Sequence, residues 1–111
     1  MAESRTDLLQ GTLDLLILRT LMLEPQHGWG IARRIQQITR GTFDVKPGSM
    51  FPALKRLEER GWISSAWAES ENGRQAKYYR LTRCGRHHLD EALENWQRVA
   101  RAIGWAIEAT S

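Results

Sequence analysis

The sequence predicts a mostly α-helical chain with one small β-hairpin and a long final helix. Three observations predict it. Apolar residues recur at helical spacing through the first half of the chain. An Asn72-Gly73 turn signal lies between two short segments that read as strands. From Leu89 onward two interleaved spacings of seven carry apolar residues to Ile107.

The first helix is expected over Asp7 to Leu23, closed by Glu24-Pro25. Leu9, Leu13, Leu16 and Leu23 lie on or near one face, and Leu8, Leu15, Leu18 and Met22 cover much of the rest. A helix apolar nearly all round packs on more than one side, here the chain's own core and a second subunit. The second helix spans about Gly28 to Thr39, with Ile31, Ile35 and Ile38 as its stripe and Gly41 as its end. The third spans about Ser49 to Arg60. Met50, Ala53, Leu54 and Leu57 point inward, Ser49 is the expected N-cap, and Gly61 follows the end. Lys46-Pro47-Gly48 reads as the break before it, which puts Pro52 at the third helical position, where a missing N–H costs nothing.

Trp62 to Ala68 and Ala76 to Leu81 read as strands, joined by a protruding loop from Glu69 to Gln75. Of Tyr78 and Tyr79, one faces the core by alternation. The last helix follows Thr82, its expected N-cap, and runs to about Ala109. Leu89, Trp96 and Ile103 form one series of sevens, and Leu93, Ala100 and Ile107 the other. Gly104 interrupts them mildly, at a cost of about 1 kcal/mol relative to Ala. The seam reads as a dimer contact or as an intrachain packing stripe. The order helix, helix, helix, strand, strand, helix is the winged helix-turn-helix arrangement. Residues 1–82 are expected to form the DNA-binding domain and 83–111 a C-terminal dimerisation helix.

Length and composition bound the function. The chain has 111 residues, enough for one domain, and five Trp, a heavy load for so small a core. The formal net charge is +3, a weak pointer to an anionic partner. Its distribution says more: Lys46, Lys55, Arg56, Arg74, Lys77, Arg80 and Arg83 give a basic middle, while the C-terminal stretch is nearly balanced. One cysteine, Cys84, excludes an intrachain disulfide and fits a cytoplasmic setting. The N-terminus lacks the pattern of a secretory signal. Leu13 to Leu23 is too short and too charged to span a bilayer, so no membrane partner is expected.

Several segments in register carry a resemblance. His27-Gly28-Trp29-Gly30-Ile31-Ala32 is followed by Lys46-Pro47-Gly48-Ser49-Met50-Phe51-Pro52-Ala53-Leu54-Lys55-Arg56-Leu57-Glu58. Gly73-Arg74-Gln75-Ala76-Lys77-Tyr78-Tyr79-Arg80-Leu81-Thr82 comes next, and Gly11 to Leu18 precedes them all. Together they resemble the PadR family of bacterial transcriptional regulators over about residues 5 to 100. The resemblance implies a winged helix-turn-helix repressor, commonly acting near its own gene, and the single final helix is similar to the family's short subgroup. Two positions depart from the family pattern. Phe51 stands where relatives carry Tyr, which removes a hydroxyl, and Ala76 stands where they often carry a basic residue.

The third helix is the expected reader of the major groove. Gly48, Pro52, Lys55 and Glu59 point outward, flanked by Phe51 and Arg56. Ser49 suits a phosphate or base, Lys55 a guanine or phosphate, and Phe51 a thymine methyl. Arg74 and Lys77 in the hairpin are the expected backbone or minor-groove contacts. Both basic groups also fit a merely solvated face. Two copies reading an inverted repeat of double-stranded DNA gain the specificity that one small module lacks. The resemblance further implies that Trp96, with Leu93, Val99 and Ala100, stacks a flat aromatic or hydrophobic effector at the dimer axis. The plainer reading makes Trp96 interface core.

Other chemistries fit less well. Cys84 and His88 stand one helical turn apart, a spacing that could share a metal, but further ligands are not evident unless a dimer provides them, and neither metal nor cofactor is expected. His27 reads as a structural hydrogen-bonder. With no nucleophile–base pair and no phosphate-binding Gly loop, an enzyme is not expected. The alternative is a winged helix used for protein contacts without DNA, which Phe51 and Trp62 leave open.

Overall fold

The computed structural model describes residues 2–111, with side chains from residue 11 onward. The expected contributions of Leu8 and Leu9 therefore lie outside the described residues. The order is α1 (Ala2–Leu23), β1 (Gln26–His27), α2 (Gly28–Ile38), α3 (Pro47–Glu59), β2 (Ile63–Glu69), β3 (Gln75–Leu81) and α4 (Arg83–Thr110). The strands form one antiparallel sheet in the order β1-β3-β2. This is a winged helix-turn-helix with a long terminal helix.

α1 is the centre of the core. Leu13, Ile17, Leu18 and Leu21 are buried, joined by Ile31 and Ile35 from α2 and by Met50, Ala53, Leu54 and Leu57 from α3. Ile63, Tyr79 and Leu89 close it from the hairpin and α4. The inward stripe of α3 is as expected. In α2 only the first two isoleucines are buried, because the helix ends at Ile38 and leaves that side chain exposed. Tyr79 is the tyrosine that faces the core, and Tyr78 packs edge-on against His27 with ring centroids 5.3 Å apart.

Three local expectations change. α1 begins earlier, at Ala2. α3 begins at Pro47, with Lys46 as an N-cap that makes no side-chain bond. Pro suits the first helical position because its fixed φ is preorganised and its missing N–H is not needed. Ser49 is thus inside the helix rather than capping it, and Pro52 falls at the sixth helical position rather than the third. There its missing N–H leaves the Gly48 carbonyl without its helical partner. The third change is the hairpin loop, which shortens to residues 70–74. Ser70 N–H donates to the Arg74 carbonyl at 2.7 Å, and Gly73 takes φ +79°.

The joint between the hairpin and α4 is tightly made. The Thr82 hydroxyl donates to the Gly61 carbonyl at 2.7 Å and accepts the Gly85 N–H at 2.9 Å, which caps α4 as expected. A Cβ on Gly85 would sit 1.9 Å from the Trp62 carbonyl oxygen, so only glycine permits this approach. Trp62 stacks on His88 at 3.6 Å between ring centroids, and Arg60 lies over the same indole. Beyond Leu93 the helix leaves the core, and the molecule extends to 55 Å along its longest axis.

Candidate nucleic-acid interface

The two faces of α3 are sharply divided. Met50, Ala53, Leu54 and Leu57 are buried, while Pro47, Gly48, Ser49, Phe51, Pro52, Lys55 and Glu59 are exposed. The outer start of the helix is flat, because Gly48 has no side chain and a Cβ there would meet nothing within 4 Å. Flatness here permits the backbone to approach a groove closely. Lys55 makes no ion pair among the described residues.

Two flanking residues have second duties that the sequence could not show. Arg56 bonds the Asp14 carboxylate of α1, forty-two positions away, and is only partly exposed. Burial raises the Asp14 pKa, and the Arg56 hydrogen bond and charge oppose that shift. Arg56 therefore ties α3 to α1 on one side of the exposed face of α3. Phe51 keeps part of its ring in solvent, yet its edge would lie only 2.7 Å from a Cβ placed on Gly28. The ring thus braces α3 against the first turn of α2. His27 completes that turn as N-cap, its Nδ1 accepting the Gly30 N–H at 3.0 Å, in keeping with its expected structural role.

The hairpin leans on α3 through Glu58. Ser65 Oγ donates to that carboxylate, and Lys77 Nζ lies 3.7 Å from it while sitting over the Tyr79 ring. Glu58 and burial together raise the Tyr79 pKa, burial being the larger cause. Alternate residues share a sheet face, so buried Ile63 and Glu58-bound Ser65 identify the face turned toward α3. Trp67 is next on that face, opposite Lys77 in the register, and its side chain is 68% exposed. Trp67 is not among the residues expected from the sequence to contact DNA. Alternation from Ile63 was the signal that could have found it. Arg74, at the end of the loop, is exposed and without an ion pair among the described residues.

The candidate effector residues lie apart from this surface. Leu93 is half-buried at the edge of the core, while Trp96, Val99 and Ala100 are exposed along α4. The stripe continues through Ile103 and Ile107, both also exposed. Trp105 is exposed too but stands on the opposite side of the helix, about 180° from Trp96 at 100° per residue. Among the described residues no three His, Cys, Asp or Glu side chains are grouped to hold a metal. No helix of the described residues is long and apolar enough to cross a membrane.

Comparison with known proteins gives consistent matches. The profile of the transcriptional regulator PadR-like family matches residues 17–91. The transcriptional regulator YqjI of Escherichia coli is 31% identical over 102 residues, covering 87% of this chain but 47% of YqjI. A transcriptional regulator structure from Clostridium thermocellum superposes with a TM-score of 0.80 at 28% identity, covering 88% of this chain and 95% of that one. A PadR family transcription regulator from Clostridium difficile gives a TM-score of 0.74 at 31% identity, over 85% of this chain and 96% of the other.

Proposed function

The chain belongs to the PadR-like family of transcriptional regulators, and from that premise we propose that it is a homodimeric, sequence-specific repressor that binds double-stranded DNA in the cytoplasm. The observation that carries this reading is the divided α3. Its inner face is spent on the core, and its outer face offers Ser49, Pro52 and Lys55 beside a hairpin that bears Arg74, Lys77 and Trp67. Lys55 and Ser49 reach base edges or phosphates, Phe51 and Pro52 supply apolar surface for thymine methyls, and Arg56 supports α3 from its Asp14 bond. The hairpin lies along the backbone. Trp67 joins it as a sugar or groove-wall contact.

Pairing is assigned to α4. A helix that leaves Trp96, Val99, Ile103 and Ile107 in water costs more apolar exposure than a monomer this small tolerates. A second copy covers that stripe and sets two α3 helices on the half-sites of an inverted repeat. A flat aromatic or hydrophobic effector held by Trp96, Leu93, Val99 and Ala100 favours a dimer whose α3 spacing no longer fits, and so releases DNA.

The test is binding to the promoter region beside the gene, followed over a salt series. Each phosphate neutralised adds about 0.9 to the slope of log affinity against log salt. Lys55→Ala is expected to weaken binding and relax sequence preference, whereas Arg74→Ala and Lys77→Ala lower the slope with preference kept. A selection from random-sequence DNA that yields no bound sequence at low salt defeats the reading. It would favour a protein-contact winged helix instead, which the exposed Trp29 and Trp67 suit.

A further inference from the structure

A cleft of about 450 Å³ opens at the base of the wing, at the end of β3 away from the loop. Three elements wall it: the last turn of α1, the end of β3 and the first turn of α4. Leu21, Met22 and Leu81 supply apolar lining. Arg80, Arg83 and Arg86 supply the charge.

Among the described residues none of the three arginines makes an ion pair. Glu24 is the only acid among the described lining residues, and its Oε1 lies 2.8 Å from Arg34. The first turn of α4 contains no acidic residue, so the positive end of its dipole adds to the same sign. Three arginines with no ion pair among the described residues thus border one cleft. Like charges held together in this way are relieved by a bound anion. Guanidinium groups match phosphate oxygens in geometry as well as charge.

We propose that this cleft binds a small phosphate monoester with an apolar body. Arg80, Arg83 and Arg86 hold the phosphate, and Leu21, Met22 and Leu81 take the body. The volume is that of an ordinary small-molecule site, for which roughly 300–1,000 Å³ is usual. Because α1, β3 and α4 all border the cleft, its occupant sits at the joint between the winged domain and the long helix. It is separate from the Trp96 stripe, and its binding does not depend on the DNA reading.

Isothermal titration of the full chain tests the proposal, with hexyl phosphate, inorganic phosphate and hexanol as probes. Hexyl phosphate is expected to bind about tenfold more tightly than inorganic phosphate, and hexanol not to bind. The double variant R80Q/R86Q weakens hexyl phosphate by about tenfold or more, while R98Q/R101Q, which removes equal charge farther along α4, leaves it unchanged. Both variants alter exposed residues, and thermal unfolding checks that both fold. Vesicles containing phosphatidic acid distinguish the source of the headgroup. Protein that stays in the supernatant indicates a soluble ester, and pelleting lost in R80Q/R86Q indicates a lipid with the same chemistry. The proposal is overturned if hexyl phosphate does not bind, or if the two double variants lose binding equally. It is also overturned if R80Q/R86Q alters only the salt slope for DNA, which would make the cleft a backbone contact.

Discussion

α1 and α4 are the two long helices, and they use their apolar residues in opposite ways. α1 is apolar on several sides, and the chain itself covers them: Leu13, Ile17, Leu18 and Leu21 are buried among α2, α3, β3 and α4. α4 buries only Gly85 and Leu89, then carries a continuous apolar stripe into solvent, with Trp96 56% and Ile103 55% exposed. A sevenfold repeat costs nothing to a helix that pairs with a copy of itself and much to one that stays alone. The chain thus covers the apolar side of its first helix itself and leaves most of the apolar stripe of its last helix exposed.

The largest expected effects come from setting the two helices against each other. Ile17→Ala removes a fully buried side chain and is expected to cost about 2–5 kcal/mol in urea unfolding. Ile103→Ala is expected to leave unfolding of the dilute monomer within about 0.5 kcal/mol, and to act only on self-association. Unfolding measured across a range of protein concentrations separates these. Equal destabilisation of the dilute chain by Ile103→Ala and Ile17→Ala would mean that the α4 stripe is packed within the chain.

Next comes the joint. Gly85→Ala would force a methyl against the Trp62 carbonyl, where backbone and not a flexible side chain is in the way. Overpacking of this kind costs about 1–3 kcal/mol, and α4 has to tilt off the hairpin to relieve it. Denaturant unfolding gives the cost, and a change in the proposed self-association or DNA binding reports the tilt. An unchanged protein would mean that the joint is soft and that the two helices are independent.

Thr82→Ala should cost less, about 1 kcal/mol, the usual loss for an N-cap. Thr82→Ser keeps the hydroxyl that joins Gly61 to Gly85 and is expected to recover most of it. Calorimetric unfolding of both variants checks this. Equal losses in the two would assign the effect to the methyl group and not to the cap.

What the sequence disclosed follows the same divide. Repetitive features were legible: the inward stripe of α3, the sevens of α4, the Thr82 cap, and the hairpin around Gly73. Features set by single long-range contacts were not. β1 is two residues long, too short for any periodicity, and exists only because Tyr78 and Tyr79 offer it a partner. Lys46-Pro47-Gly48 carries the composition of a break, yet Pro47 starts α3. At the candidate interface, the outward side of α3 could be inferred from its inward stripe, but nothing local marked Arg56 as bound to Asp14, Phe51 as a brace on Gly28, or His88 as the stacking partner of Trp62.

The smallest expected effect concerns a polar contact that α1 has within the chain. Asp14 is partly buried, and desolvation disfavours its charged form by more than Arg56 restores, so its pKa in the folded chain is raised from 3.8. Between those two values the folded state holds more protons than the unfolded state. Stability from this group is therefore greatest below 3.8 and falls as pH rises through the folded value. Asp14→Asn keeps an acceptor for Arg56 and removes the titration. Relative to the original chain, the variant should gain stability as pH is raised from about 3 to about 7, read from unfolding midpoints across that range. The opposite trend would mean that Arg56 outweighs burial and that the carboxylate is held down instead of up. In that case α1 would be fastened to α3 by charge as well as by its apolar face, and its contrast with the bare stripe of α4 would be wider than burial alone makes it.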